Sequence, residues 1–178
     1  MSHATILKAI SFAANKHRNQ RRKDSDASPY INHPIAVANV LASEGNVDDE
    51  RILLGAILHD TVEDTETTFA DLTDNFGIEI ADIVREVTDD KSRPKARRKE
   101  LQIEHAPHAS NHAKQIKIAD KICNIRDILQ APPADWSVER KQEYLEWTNK
   151  VVEGCRGVNQ CLDLVYDDVF NEGKSLLI

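Results

Sequence analysis

The sequence predicts an all-α protein that folds as one domain over residues 1–178. Glycine and proline are scarce, with six of each, whereas many short strands joined by tight turns would need more of both. Apolar residues instead recur at helical spacing along most of the chain. The length is about that of one domain, and 40% hydrophobic with 30% charged residues is typical of a globular protein. We therefore expect one helical core.

The first two helices are predicted on either side of a turn-rich loop. Apolar residues three and four positions apart predict a helix over about residues 3–18. The loop that follows includes DSDASPYINHP and delivers His33. Pro34 suits the first turn of the second helix, which continues toward Gly45, because proline lacks the N–H that would have no partner there.

Capping residues predict the next two helices. Asp48 is typical of an N-cap and predicts a third helix over roughly 49–62. Thr68, with Asp71 three residues later, has the pattern of a capping box, and Gly77 marks the end of the same short helix.

The second half of the chain is predicted to contain three helices and one irregular segment. Apolar residues within 80–87 share a helical face. The polar segment 89–108 contains two prolines, which we expect to break it into pieces. Helical spacing resumes over 110–129, and one long final helix is predicted over about 137–170.

Eleven of the 23 lysines and arginines lie in two short windows that contain no acidic residue. Residues 16–23 hold five of them and residues 91–99 hold six. The formal net charge of -7 argues against a general binder of duplex DNA. The windows also lack the interleaved aromatic residues of an RNA-binding surface. A charge run is usually a solvated face, and the alternative that stays open is a site for a small polyanion.

Cysteine usage and hydropathy predict a cytoplasmic protein without a membrane partner. The three cysteines form an odd number and no Cys-x-x-Cys pair, which excludes a disulfide framework and a thiolate zinc knuckle. The longest apolar run, residues 52–58, is far shorter than the ~18 residues of a membrane-spanning helix. The N-terminal segment lacks the pattern of a signal peptide.

His59 and Asp60 end that apolar run, which makes them candidate metal ligands. A buried carboxylate is costly unless a partner or a metal compensates it. Glu63 lies four residues after His59, and Asp64 lies four after Asp60, so the four groups are expected on one helical flank. The alternative for Glu63 and Asp64 is an ordinary pair of solvent-facing helix residues.

Two further residues complete a candidate ligand set. His33 precedes a proline in a loop, and Asp120 belongs to a polar stripe on the helix predicted over 110–129. Taken alone, His33 is more often an ordinary loop residue, and such a stripe is more often a solvated face. With His59 and Asp60 they supply two imidazoles and two carboxylates, which suit a divalent ion such as Mn, Fe, Zn or Co.

These residues also carry a family resemblance. His33, then His59-Asp60, then Asp120 is the H…HD…D pattern of the HD phosphohydrolase superfamily. More narrowly, the chain resembles the hydrolase domain of RelA/SpoT-type alarmone enzymes, and most of all the small alarmone hydrolases, the Mesh-type metazoan SpoT homologues and their bacterial relatives. The likeness spans nearly the whole chain. It rests on four motifs in order: RRKD…SPYINHP, ILHDTVEDTETT, EVTDDK and KIADKICNIRD.

The resemblance implies an HD-domain phosphohydrolase-like helical bundle and assigns roles to individual residues. The family's Mn2+ ligands match His33, His59, Asp60 and Asp120, and its catalytic pair matches Glu63 and Asp64. Nucleotide-binding positions of the family match Arg22, Lys23, Asn124, Arg140 and Tyr144.

Predictions follow for three further residues, which lie far apart in the sequence. Lys95 is our further candidate for a phosphate contact, because the charge of the substrate must be offset by cations. Asp127 departs from the longer bifunctional enzymes, which more often carry Thr there. Trp147 is expected in the core.

The activity implied by the resemblance is manganese-dependent hydrolysis of the 3′-pyrophosphate of (p)ppGpp to GDP or GTP and pyrophosphate, which lowers alarmone in the stringent response. Glu63 and Asp64 would be the general base and acid, but their spacing does not assign which is which. The chain ends where a synthetase domain would begin, so no synthesis is expected. Two alternatives stay open, a metal-dependent NADPH 2′-phosphatase and a non-catalytic alarmone sensor. The expected partner is a small-molecule nucleotide and not a nucleic acid, and the oligomeric state is open.

Overall fold

The computed structural model describes residues 3–177, which form ten α-helices and one 3-10 turn. The extended pairing found within that range is an isolated bridge between Arg21 and Pro29. No helix of the same range is long and apolar enough to cross a membrane. In chain order the helices are α1 His3–Lys16, α2 Asn32–Ser43, α3 Glu50–Leu58, α4 Thr61–Asp64, α5 Phe69–Phe76, α6 Ile78–Val87, α7 Lys95–His105, α8 Asn111–Gln130, α9 Val138–Glu153 and α10 Gln160–Leu176, with the 3-10 turn at Ala106–His108.

Helix α3 lies at the centre of the core. Every residue from Ile52 to Leu58 is buried, and the helix contributes to two apolar clusters. One cluster joins α3 to α2, α8, α9 and α10, and the other joins it to α1, α5 and α6. Gly55 permits this close packing, because a Cβ there would lie 2.7 Å from Ile83 Cγ2 and 2.8 Å from Ile116 Cδ1. The predicted all-α fold is confirmed.

Several of the predicted helix ends are also confirmed. Helix α5 begins at a capping box in which the Thr68 hydroxyl accepts the backbone N–H of Asp71 at 3.1 Å and the Asp71 carboxylate accepts that of Thr68 at 2.8 Å. Gly77, with φ of 90°, separates α5 from α6. Ser110 caps α8 by accepting the N–H of Ala113 at 3.2 Å.

The third predicted helix is wrong in two respects. Its cap is Asp49, which accepts the N–H of Arg51, and not Asp48. The helix also stops at Leu58. Near this point, side chains donate hydrogen bonds to backbone carbonyls that would otherwise accept helical N–H groups. The Thr61 hydroxyl donates to the Leu58 carbonyl at 2.7 Å. This interruption separates α3 from α4 and leaves His59 and Asp60 in a turn.

The segment 89–108 is not irregular as predicted, since it contains the eleven-residue helix α7. No residue of α7 is buried, so an apolar stripe could not reveal it. Its support comes from charge, from Ile103, which packs against the core, and from contacts with α9. Arg97 pairs with Glu100 and Glu104, and the Trp147 indole N–H donates to the Lys99 carbonyl at 3.1 Å.

The predicted final helix over 137–170 is wrong, because the chain turns back between α9 and α10. Gly157 adopts φ of 86° in this turn, a conformation that residues with a Cβ rarely adopt. Asn159 then caps α10 by accepting the N–H of Leu162 at 3.2 Å. The reversal allows α10 to pack along α8.

Candidate metal centre

Four predicted ligands converge on one buried point, which we call the metal cluster (His33, His59, Asp60 and Asp120). The nitrogen and oxygen atoms of His33, His59 and Asp60 lie within 4.8 Å of one another. Asp120 joins them from α8, where its Oδ1 lies 3.0 Å from His33 Nε2. His59 Nε2 lies 3.0 Å from Asp60 Oδ2. Three separated segments of the chain thus meet at this point.

The interruption between α3 and α4 orients the central histidine. His59 Nδ1 lies 2.7 Å from the Ala56 carbonyl, to which it can donate, so Nε2 is left facing the cluster. Burial of the imidazole lowers the pKa of His59, but the carboxylates of Asp60 and Asp120 and the Ala56 carbonyl together outweigh burial and bring this pKa to about 9. Two imidazoles and two carboxylates with this orientation fit a divalent metal ion.

Polar side chains outside the ligand set hold the two aspartates. The Tyr30 hydroxyl donates to Asp60 Oδ2 at 2.6 Å. The Lys121 ammonium donates to Asp120 Oδ2 at 2.8 Å, and the Asn124 amide donates to its Oδ1 at 2.6 Å. These contacts of Tyr30 and Lys121 were not predicted from the sequence. The signals present were the position of Tyr30 within SPYINHP and that of Lys121 one residue after Asp120.

Glu63 and Asp64 point into different cavities. Glu63 lines the central cavity together with the metal cluster. Burial raises the pKa of Glu63 to about 7, and the carboxylates of Asp89, Asp60 and Asp64 add to this, although the Asp89 N–H donates to Glu63 Oε2 at 2.9 Å. Asp64 lines a second cavity, where it pairs with Lys91 and accepts the Gln20 amide at 2.9 Å.

The central cavity has a volume of about 230 Å³ and is lined by more cationic than anionic side chains. It opens directly on the metal cluster and Glu63. Arg22 reaches it from the first basic window, and Lys95 reaches it from the second, so the two windows meet in space. Six basic residues line it in all: Arg22, Lys95, Arg98, Lys99, Lys117 and Lys121.

A second cavity of about 470 Å³ adjoins the central one. The two share Arg22, Tyr30, Asn124 and Tyr144 in their walls. The second cavity, but not the central one, is lined by Lys23 and Trp136. The same is true of three residues from the end of α8 and the loop that follows it: Ile128, Ala131 and Pro133. Its wall combines aromatic and amide side chains with charged ones, and it does not include the metal cluster.

Two of the predicted binding residues lie in distinctive places. Arg140 is not among the residues that line either cavity; its guanidinium lies 4.5 Å from the centre of the Trp136 ring. Asp127, the residue that departs from the longer enzymes, lines the second cavity and pairs with Arg22. Asp127 therefore holds a cation that faces both cavities.

Trp147 packs against the core as predicted, but it also forms part of the cavity wall. The ammonium groups of Lys99 and Lys121 lie 4.8 and 4.7 Å from its ring centre. Contacts of this kind hold both cations beside an aromatic face.

The comparison with family models agrees with this geometry. Residues 9–146 match the model described as an HD domain. The chain belongs to the HD-domain family. The match spans the metal cluster, Glu63 and both cavities' main walls, so the buried histidine and aspartate residues lie within the HD domain.

Curated relatives cover nearly the whole chain. A zebrafish (Danio rerio) protein named guanosine-3′,5′-bis(diphosphate) 3′-pyrophosphohydrolase MESH1 is 52% identical over 171 residues, which are 96% of this chain and 95% of that protein. The human protein of the same name is 49% identical over 169 residues, with 95% and 94% covered. This HD-domain chain is thus similar in sequence to the small alarmone hydrolases.

Solved structures extend the similarity to the fold. A structure described as a metazoan ortholog of SpoT that hydrolyzes ppGpp superposes with a TM-score of 0.93 at 45% identity, covering 97% of both chains. The Listeria monocytogenes protein lmo0812 superposes with a TM-score of 0.67 at 28% identity, covering 81% of this chain and 94% of that one.

Proposed function

We propose that this protein is a metal-dependent hydrolase that removes the 3′-pyrophosphate of ppGpp and pppGpp, giving GDP or GTP and pyrophosphate. The curated relatives that cover the chain are named for this reaction. The single structural observation that supports it most is the composition of the central cavity. A buried cluster of two imidazoles and two carboxylates opens there into a wall of six cations.

The wall suits a substrate that carries several phosphate charges. Cations in a confined cavity offset phosphate charge, and charge-assisted hydrogen bonds are stronger than neutral ones. The second cavity offers Tyr144, Asn124 and Trp136 to the nucleoside. Under this proposal Arg22, Lys23 and Lys95 bind phosphate, and Arg140 acts on the nucleotide through Trp136, whose ring it covers.

His33, His59, Asp60 and Asp120 would hold the metal ion, which we propose to be Mn2+. The chemistry that such an ion supplies when bound is activation of water and polarisation of a phosphoryl oxygen. The donor set also suits Fe, Zn or Co, so elemental analysis of the purified protein is the measurement that identifies the metal. Tyr30 and Lys121 orient the two aspartates through their hydrogen bonds.

Glu63 is proposed as the general base. It lines the central cavity beside the metal cluster, and its pKa of about 7 allows it to accept a proton near neutral pH. In the reaction the water oxygen forms a bond to phosphorus, and the bond from phosphorus to the ribose 3′ oxygen breaks. Glu63 takes the proton of water. Asp64 lines the second cavity and is proposed to face the leaving ribose 3′ oxygen and to supply the proton that this oxygen takes up.

A substrate panel tests the proposal. Purified protein supplied with Mn2+ is incubated with ppGpp, pppGpp or NADPH, and the release of pyrophosphate and of inorganic phosphate is followed. We expect pyrophosphate from ppGpp and pppGpp, and loss of that activity in Asp60→Ala. Release of phosphate from NADPH without pyrophosphate from ppGpp would establish the phosphatase alternative. Binding of ppGpp without turnover would establish the sensor alternative.

The proposal extends to the organisation and location of the protein. We take residues 1–178 as one hydrolase domain, of which residues 1, 2 and 178 lie outside the described residues. The three cysteines are free, and Cys123 and Cys155 are buried, which agrees with a reducing cytoplasm. The expected partner is the nucleotide substrate.

A further inference from the structure

Lys117 is a buried lysine for which no ion-pair or hydrogen-bond partner is found among residues 3–177. It is 8% exposed and lies on α8, three residues before Asp120. Neighbouring cations of the central cavity differ in this respect. Lys121 pairs with Asp120, Arg22 pairs with Asp127, and Lys95 is exposed to solvent.

An ammonium group in this position is unfavourable in the protein without a ligand. Taking an unpaired charge out of water is costly. Burial lowers the pKa of Lys117, and repulsion from Lys121 lowers it further. A bound anion at this place would compensate the charge of the Lys117 ammonium.

Lys117 lies at the boundary between two cavities. It lines the central cavity and also a third cavity of about 640 Å³. The metal cluster and Glu63 are not among the residues that line the third cavity. Lys117 therefore borders a space that the metal cluster does not line, into which a phosphate beyond the attacked phosphorus would extend.

A second donor at the same boundary points to the same kind of ligand. Arg98 also lines both cavities. Its Nε is buried and has no hydrogen-bond partner in the described part of the chain, while its Nη1 lies 3.7 Å from Glu63 and 3.8 Å from Asp89. Two cationic side chains thus line the same two cavities.

We propose that Lys117, assisted by Arg98, binds the distal phosphate of the 3′-pyrophosphate and makes the enzyme prefer a 3′-diphosphate to a 3′-monophosphate. This inference rests on the proposed function and adds a specificity determinant to it. The attacked phosphorus is assigned to the metal cluster, and the phosphate beyond it is assigned to the boundary with the third cavity.

The decisive experiment compares two nucleotides that differ only in that phosphate. kcat/KM is measured for ppGpp and for guanosine 5′-diphosphate 3′-monophosphate with wild type, Lys117→Met, Lys117→Arg and Lys114→Met. Lys114 is the control, because it lies on the same helix and lines none of the cavities described. A charged hydrogen bond to phosphate predicts a loss of ~10–100-fold on ppGpp in Lys117→Met, at least ~10-fold larger than on the monophosphate. Lys117→Arg is expected to retain more of the ppGpp activity.

Thermal unfolding provides a second readout that does not require turnover. With a chelator present, inorganic pyrophosphate is expected to raise the Tm of wild type more than sulfate at equal ionic strength, and Lys117→Met is expected to lose that difference. Without ligand, Lys117→Met should melt at or above the wild-type Tm, because an unpaired buried charge has been removed.

Three outcomes would overturn the assignment to Lys117: equal losses on the two nucleotides, an unchanged response to pyrophosphate, or a Lys117→Met variant that melts well below wild type. If wild type releases no pyrophosphate from ppGpp, the proposed function fails. The pyrophosphate-dependent Tm then still decides the role of Lys117.

Discussion

The backbone N–H of Asp89 donates a 2.9 Å hydrogen bond to Glu63, and this contact ties the loop after α6 to the carboxylate beside the metal cluster. The contact favours ionised Glu63, yet burial and three nearby carboxylates outweigh it and raise the pKa of Glu63 to about 7. Glu63 is thus a carboxylate that changes charge in the range where enzymes operate.

The first prediction concerns Glu63 in catalysis. Glu63→Gln should reduce kcat for ppGpp by ~10²–10⁴-fold, the usual contribution of general acid–base catalysis. Since a base must be ionised, wild-type kcat/KM should rise with pH through the pKa of Glu63, which is about 7 in the metal-free protein and is lowered by a bound cation. The residual activity of the variant should lack that rise. Glu66→Gln is the control, because Glu66 is exposed and lines neither the central nor the second cavity. A Glu63→Gln enzyme with the wild-type pH profile would contradict the assignment.

The second prediction concerns stability in the metal-free protein. The pKa of Glu63 is about 7 in the folded state, whereas an unperturbed glutamate has a pKa of 4.5. Between these two pH values the folded state therefore binds more protons than the unfolded state. The free energy of unfolding contributed by Glu63 therefore decreases as pH rises through this window. The difference in free energy of unfolding between Glu63→Gln and wild type should therefore shift in favour of the variant by roughly 1–3 kcal/mol from pH 5 to pH 8. Urea unfolding with a chelator at both pH values measures this gain, and an equal difference at the two pH values would disprove it.

The third prediction concerns Tyr30. Tyr30→Phe removes the hydrogen bond to Asp60 but keeps the ring, whose centre lies 4.9 Å from that of His17. Residues that hydrogen-bond to metal ligands typically change metal affinity by ~10–100-fold when mutated. We expect Tyr30→Phe to bind Mn2+ more weakly by about this factor, measured by calorimetry. The Tm of the metal-free protein should change little. Tyr166→Phe is the matched control, since its hydroxyl contacts Thr148 within the core. Equal Mn2+ affinity in wild type and Tyr30→Phe would rule out an orienting role.

The fourth prediction concerns the turn between α9 and α10. A Cβ at Gly157 would contact no other atom within 4 Å, so the cost of a substitution comes from φ of 86°. Gly157→Ala should lower the free energy of unfolding by ~1 kcal/mol, and Gly157→Asn by less, because Asn tolerates left-handed backbone better. Chemical denaturation of the two variants measures the order, and an alanine variant as stable as wild type would show that the turn relaxes.

Prediction from sequence succeeded where local chemistry determines local structure. Thr68 and Asp71 form the capping box because their side chains bond to backbone groups three residues apart. It failed where tertiary contacts decide. The helix over 95–105 has no buried face to give a periodic signal, and the long final helix was divided at Gly157, because α10 turns back to pack along α8.

The polar stripe on α8 shows the same division within the site. Its spacing alone is typical of a solvated face. In the folded protein Lys117 and Lys121 instead line the central cavity and are only 8% and 5% exposed. The sequence spacing predicts Glu63 and Asp64 on one flank of a helix. The interruption after Leu58 and the short α4 nevertheless direct them into different cavities.

The sequence by itself determined the helical class of this protein, the identity of the histidines and aspartates that could bind a metal, and the presence of two concentrated basic windows. These are properties of composition and spacing, which need no knowledge of distant contacts. Only the tertiary structure decided that the metal cluster forms, that Arg22 and Lys95 face one cavity, and that Lys117 is buried with no ion-pair partner among residues 3–177. Each of these depends on helices far apart in the chain packing around α3, because long-range burial selects which polar side chains meet.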